Sequence, residues 1–279
     1  MTTTTTITAA EINKLRQMTG AGMMDCKKAL TEAGGDFEKA IDELRKKGQK
    51  VAANRSDRDA KEGYILAGTS QDNKHGVVLA VNCETDFVAK NEEFGKMVSR
   101  IVDIAISKKP KTIDELRALS FDGKLTIADK LIEQTGVIGE KIELNKYDTI
   151  EAPFVIAYNH PGNRLANIVG FSAPNVSVEV AKDVAMQVAA MAPVAVDKAD
   201  VDAEMVQREI EVGKEQARQE GKPEEMLEKI AIGKLNKFYK ESTLLNQEFI
   251  KDNKKTVAQY LNDSQKGLTV TSFKRVALA

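Results

Sequence analysis

The sequence predicts an α+β protein built from several small bodies, and three observations predict it. Apolar residues recur at helical spacing through residues 1–48, then give way to the alternation of strands beyond a polar, basic stretch. The order hairpin, helices, strand then occurs twice. The second occurrence is interrupted by residues 202–240, where polar amphipathic helices replace the alternation.

The first helix opens at "TAAE", where Thr8 and Glu11 have the spacing of a capping box. Ile12 and Leu15 follow on one face, and Gly20 supplies a stop. The second helix is "MMDCKKALTEA", with Met23, Cys26, Leu30 and Ala33 on one face; Met24 then points about 100° away. "GGD" breaks that helix, Asp36 caps the third, and Gly48 is expected to end it. The expected core of this three-helix domain (residues 1–48) is Ile12, Leu15, Ala29, Leu30, Ala33, Ile41 and Leu44, close to the lower limit for independent folding. The basic stretch "RKKGQKVAANRSDRDAK" reads as leading into a linker, placed at 49–62.

Residues 63–150 form the first core module. "GYILAGT" and "GVVLAVN" flank the turn "DNKHG" and predict a hairpin. A helix starts at Asn91, buries Phe94, Met97, Val98, Ile101 and Ala105, and stops before Pro110. "TIDE" opens a short helix near 113–119; "TIADKLIEQTG" is another helix, and "EKIELNKYDTI" a strand. The second module takes residues 151–201 and 241–279. "PFVIAYN", the turn "HPGN" and "LANIVGF" repeat the hairpin, and "VSVEVAKDVAMQVAAMAP" is a helix ending before Pro193. "TVAQYL" echoes "TIADKL", and "LTVTSFKRVAL" supplies the last strand. Each module is expected to hold a three-stranded antiparallel sheet with helices on one face. Within 202–240, Val206, Ile210, Gly213 and Ala217 make one apolar face, and Leu227, Ile230, Ala231, Leu235 and Phe238 another. The turn "EGKPEE" folds them into an antiparallel arm.

Composition excludes several classes of function. The net charge of −1 offers no global attraction to nucleic acid or anionic membrane. Cys26 and Cys83, far apart and outside any CxxC, suggest a reduced, cytoplasmic setting rather than a disulfide framework. No apolar run approaches the ~18–20 residues of a bilayer span. His75 and His160 are the only histidines; both fall in hairpin turns, where solvent exposure is expected, and their spacing matches no metal motif. No P-loop, GxGxxG or GxSxG appears. A binding protein with no catalytic residues, metal or cofactor is the leading reading. Its candidate contact is Phe87 in "NCETDFVAKNEEF", an apolar residue where a polar loop is expected between strand and helix.

Two segments, "LRQMTGAGMMDCKKAL" and "NCETDFVAKNEEF", closely resemble translation elongation factor Ts, and the likeness extends over nearly the whole chain, including "GKPEEMLEKI" and "LLNQEFI". The resemblance implies a UBA-like N-terminal domain, a duplicated core and a coiled-coil arm. It implies a guanine-nucleotide exchange factor for the GTPase elongation factor Tu, without direct nucleotide binding. Thr85, Asp86, Phe87 and Val88 would form a tip whose Asp-Phe pair inserts between two GTPase helices beside the switch region. Arg16, Met23 and Met24 would face the nucleotide-binding domain, with Lys27 a weaker candidate. Many relatives carry His where this chain has Gln187, placed near the GTPase, so Gln187 is a further expected contact without the option of charge. Some relatives add a helical module after the last core strand, absent from "SFKRVALA", so the expected interface lacks its contribution.

Three other readings stand beside exchange. An RNA-binding protein would use the 45–61 basic stretch, against a near-zero net charge and no Trp for stacking. A scaffold would self-associate, as a homodimer or 2:2 assembly with its partner, through the arm or the core. An enzyme using Cys83 is disfavoured because no His lies nearby in the sequence.

Overall fold

A computed structural model describes residues 7–278 of the chain. Helix α1 (Ala9–Thr19) begins in the expected capping box: Thr8 Oγ1 accepts from the Glu11 N–H, and the Glu11 carboxylate accepts from the Thr8 N–H at 2.7 Å. Gly20 ends it in the left-handed conformation. Helix α2 (Met23–Glu32) and helix α3 (Phe37–Asn54), the latter capped by Asp36, close a small core on Ile12, Leu15, Cys26, Leu30 and Ala40. Ile41 and Leu44 pack at its margin, while Ala40 sits at its centre.

Gly48 does not end the third helix. Helix α3 continues through it to Asn54, so the expected linker begins as helix. A glycine stops a helix when it turns left-handed at an exposed end. Gly48 is buried mid-helix and serves close approach to helix α7 (Ile127–Ile138): a Cβ at Gly136 would lie 2.5 Å from the Gly48 Cα. Beyond Gly48, Gln49, Lys50, Ala52 and Ala53 are good helix formers, and nothing in their propensity breaks the helix.

The chain divides into two compact units. The first takes the residues up to Leu66 and Leu79–Tyr147, the second Ala67–Val78 and Asp148–Ala277. Strand β1 (Glu62–Thr69), strand β2 (His75–Cys83) and strand β3 (Glu143–Glu151) form one sheet in the order β1-β2-β3. After β2 come the single-turn helix α4 (Asp86–Ala89), helix α5 (Glu92–Lys108) and helix α6 (Ile113–Ala118). Helix α5 buries Phe94, Met97, Val98, Ile101 and Ala105 as its spacing predicts.

Strand β4 (Phe154–Asn159) and strand β5 (Leu165–Phe171) pair antiparallel, with Ile156 opposite Val169. Helix α8 (Val178–Met191) packs on them through Ala181, Val184, Ala185 and Val188. Helix α9 (Ala203–Gln219) and helix α10 (Glu224–Ser242) pack along each other, with Gly213 against Ala231 and ion pairs Lys214–Glu228 (2.7 Å) and Arg218–Glu224 (2.8 Å). A two-stranded ribbon the sequence reading missed follows: strand β6 (Glu248–Phe249) and strand β7 (Asp252–Thr256). Helix α11 (Val257–Ser264) and strand β8 (Val270–Ala277) complete the chain, and β8 pairs antiparallel with β5.

The two halves share details finer than element order. Each hairpin turn holds a left-handed Asn, Asn73 and Asn163, and closes through an equivalent pair of backbone bonds: Ser70 N–H to His75 O with Asn73 N–H to Ser70 O, and His160 N–H to Leu165 O with Asn163 N–H to His160 O. Helices α5 and α8 both end on a left-handed non-glycine residue, Lys109 and Ala192, each followed by proline. Helices α7 and α11 both start in capping boxes, Thr126–Asp129 and Thr256–Gln259, and bury Leu131 and Leu261 at the same offset.

One histidine departs from expectation. His75 is buried rather than exposed, because it is already the first residue of β2, a strand buried along its whole length. Its Nδ1 lies 3.4 Å from Thr149 Oγ1. His160 is exposed and lies 3.0 Å from the Tyr158 hydroxyl.

Candidate functional site

Strand β2 runs out at Cys83, whose thiol is buried and donates to the Thr85 carbonyl at 3.2 Å. Burial, reinforced by the Glu140 and Glu62 carboxylates, pushes this thiol up to about 12, so it holds its proton and is no nucleophile. The chain then makes the single turn α4 and re-enters helix at Asn91. The Asn91 side chain caps α5 by accepting from the Glu93 and Phe94 N–H groups at 2.9 and 3.2 Å. Between these anchors Phe87 is 83% exposed, the most exposed large apolar side chain among the described residues. Beside it the Asp86 carboxylate accepts from Lys90 Nζ at 2.7 Å, and that hydrogen bond holds it below the usual carboxylate range. Val88 is half-buried.

Two residues before Phe87 the loop is clasped. The Glu84 carboxylate accepts from the Lys141 N–H at 2.6 Å and from Arg55 Nη1 at 2.7 and 2.9 Å. The Glu140 carboxylate accepts from the Thr85 N–H at 3.0 Å and the Thr85 hydroxyl at 2.7 Å. Neighbouring residues on two segments thus each offer a carboxylate to the other's backbone. Burial raises the Glu84 pKa, but the Lys141 N–H and the Arg55 guanidinium outweigh it, and the net value is lowered.

An open groove of about 950 Å³ lies beside the tip, and Arg16, Met18, Phe87, Val88, Met97 and Val137 are among its lining residues. Arg16 therefore shares a surface with Phe87 and Val88. Met24 is 74% exposed, as its place on α2 predicts. Met23 is also exposed, at 50%, rather than turned inward: the core-facing stripe of α2 begins at Cys26. Neither methionine lines the groove.

Gln187 lies elsewhere and differs from expectation. It is on α8 in the second unit, with no exposed surface. Its Nε2 donates to Gln247 Oε1 (3.1 Å) and the Glu248 carbonyl (3.0 Å), and its Oε1 accepts from the Ile250 N–H (2.9 Å). These bonds consume the amide, so it holds the start of the β6–β7 ribbon against α8 and presents nothing to a partner. Among the described residues no group of three or more His, Cys, Asp or Glu is placed to hold a metal ion, and no helix is long and apolar enough to cross a membrane.

The family model described as Elongation factor TS matches residues 84–279, a span that starts at the clasp and includes the tip. A protein named Elongation factor Ts from Cytophaga hutchinsonii is 54% identical, covering 98% of this chain and 99% of the relative. The chain belongs to the elongation factor Ts family. The Flavobacterium psychrophilum elongation factor Ts is 54% identical with the same coverage, and that of Porphyromonas gingivalis is 48% identical over 98% of both chains. The family's activity, nucleotide exchange in translation elongation, is accordingly this chain's.

The sequence reading singled out Phe87, which is exposed, but not the residues that hold its turn. Glu84 lies inside the quoted segment "NCETDFVAKNEEF" without having been singled out, and Glu140 and Arg55 carry no motif that announces them. Thr85 and Glu140 are 55 positions apart, and only the fold brings them together.

Proposed function

We propose that this protein binds elongation factor Tu·GDP in the cytoplasm and releases GDP mechanically, by inserting Phe87 with Asp86 between two helices of the GTPase beside its switch region. The observation that carries this reading is the 83% exposure of Phe87 on a turn held from both sides. An aromatic side chain left in water on a braced support has its burial free energy available for a partner. Bound GDP is held by Mg²⁺ and by backbone amides around its phosphates. Moving the helix that orients the Mg²⁺ ligands weakens the ion's hold, the phosphate charge is left poorly neutralised, and GDP leaves. No covalent bond changes.

Linkage sets the condition for turnover. The factor binds nucleotide-free GTPase more tightly than the loaded form, so nucleotide weakens the factor's binding by the same ratio, and entering GTP displaces it. Burying Phe87 supplies roughly 1.5–3 kcal/mol, about one to two decades of affinity. Exchange needs a further contact area, assigned to Arg16, Met23 and Met24 on a UBA-like α1–α3 domain. All three are exposed, and methionine adapts to a partner's apolar surface.

The test is release of fluorescent GDP from elongation factor Tu. The intact protein is expected to accelerate release strongly. Phe87→Ala is expected to lose at least about tenfold of that acceleration while melting like the parent, because its side chain contributes to no core. Unfolding of Phe87→Ala would make the tip structural and defeat the assignment.

A further inference from the structure

Helix α4 cannot orient itself. It is a single turn, too short to be stable alone. None of its residues is fully buried, so packing alone holds it only weakly. Its first flanking residue, Thr85, makes no side-chain cap. A threonine in that place ordinarily turns its oxygen onto the helix's free N–H groups; here the hydroxyl is diverted and donates to Glu140. Support must therefore come from its two ends. At the far end, the Asn91 N–H donates to the Val88 carbonyl at 3.0 Å while Asn91 caps α5. At the near end, the Cys83 thiol donates to the Thr85 carbonyl, and the Glu140 carboxylate takes both the Thr85 N–H and its hydroxyl.

We propose that Glu140 is a positioning residue for nucleotide exchange: its carboxylate grips both the N–H and the hydroxyl of Thr85 and so fixes the direction in which Phe87 leaves the surface. This rests on the reading of Phe87 as the tip that enters the GTPase. Glu140 owes its place to Gly139, which ends α7 in the left-handed conformation at φ 79° and turns the next residue toward the loop. Two bonds from one carboxylate to adjacent groups of one residue restrict rotation as well as translation, and bonds to an ionised acceptor are the stronger kind. Glu84 steadies the same turn by holding Lys141, the residue after Glu140, but it touches the tip only through the chain. A ring that must enter a gap between helices loses productive encounters when its angle varies, even with every partner-facing atom intact.

The experiment compares Glu140→Gln, Thr85→Val, Thr85→Ser, Phe87→Ala and the double variant Glu140→Gln with Phe87→Ala. Release of fluorescent GDP is followed over a range of elongation factor Tu·GDP concentrations, alongside the melting midpoint. A glutamine at 140 offers one accepting oxygen to the Thr85 N–H and an NH₂ that can only donate to the hydroxyl oxygen, so two bonds to a carboxylate become two weaker, neutral ones. Glu140→Gln is expected to lower kcat/KM about tenfold, Thr85→Val similarly, and Thr85→Ser to recover most of the loss by restoring the hydroxyl. In the Phe87→Ala background, Glu140→Gln is expected to cost nothing further, since it acts through the ring that is gone. An equal fold-loss in both backgrounds would show a general structural role and overturn the proposal. So would Glu140→Gln at the parental rate while Phe87→Ala is impaired. Phe87→Ala at the parental rate would instead overturn the underlying reading of the tip. Should Glu140→Gln fail to fold, the contrast between Thr85→Val and Thr85→Ser decides: equal rates for the two would sink the idea.

Discussion

At the scale of single residues, the site separates groups that face outward from groups that hold them. Phe87 has no place in its own core, whereas Glu84 is anchored to Lys141 and Arg55. That anchoring has a pH signature. The Glu84 carboxylate titrates below its ordinary value of 4.5, so its contribution to stability is complete above 4.5 and is lost as pH falls from there through the lowered value. Glu84→Gln is expected to melt below the parent at neutral pH, with the gap closing as the pH is lowered through that window. Thermal melts at a series of pH values check this, and a gap that stays constant would show that the carboxylate's charge is irrelevant. Local sequence chemistry made Thr8–Glu11, Asp36 and Phe87 legible. It misplaced Met23 and His75 because one helical step, or one residue of strand boundary, decides between core and solvent. Gln187 differs for another reason: it was expected only by the resemblance, from relatives that carry His there, whereas its amide is buried and tethers backbone.

At the scale of elements, the contact between α3 and α7 leaves no room for a side chain. Gly48 and Gly136 meet backbone to backbone, and a side chain on either would press on main chain that cannot rotate away. Gly136→Ala is expected to destabilise the protein by about 1–3 kcal/mol. A control at Gly233, where a Cβ meets nothing within 4 Å, is expected to tolerate alanine or gain slightly from helix propensity. Denaturant titration of the two variants measures the difference; equal behaviour would mean that α3 and α7 can part freely. The sequence signal here was ambiguous by nature. The same glycine that ends a helix when exposed permits close approach when buried, and only the partner helix, far along the chain, distinguishes the two.

At the scale of the whole molecule, the recurring order of elements was readable because it is written in local chemistry: hairpin turns with a left-handed Asn, helices stopped ahead of proline, and threonine capping boxes recur in order. The clasp on the tip was not readable, because it depends on residues joined only by the folded topology. The segments that flank helices α9 and α10 are tied together: the Val194 N–H donates to the Ser242 carbonyl at 2.8 Å, and the Leu244 N–H to the Ala195 carbonyl at 2.9 Å. Replacing residues 203–241, which leaves Ser242 in place, by a short Gly/Ser link is therefore expected to leave cooperative unfolding of the remainder intact, with helical circular dichroism reduced by the share of the two helices. Loss of cooperative melting would show that the arm stabilises the body rather than decorating it.

The central claim is that an exposed ring opens a neighbour's metal site, and titrating Mg²⁺ tests it most directly. Release of fluorescent GDP from elongation factor Tu should be measured with the parent and with Phe87→Ala from millimolar Mg²⁺ down to excess chelator. If Phe87 acts by loosening the ion, the parent's advantage over Phe87→Ala is large at high Mg²⁺ and fades once the ion is already gone. An advantage that persists unchanged in chelator would contradict the account, because the ring would then be displacing nucleotide by some route other than the metal.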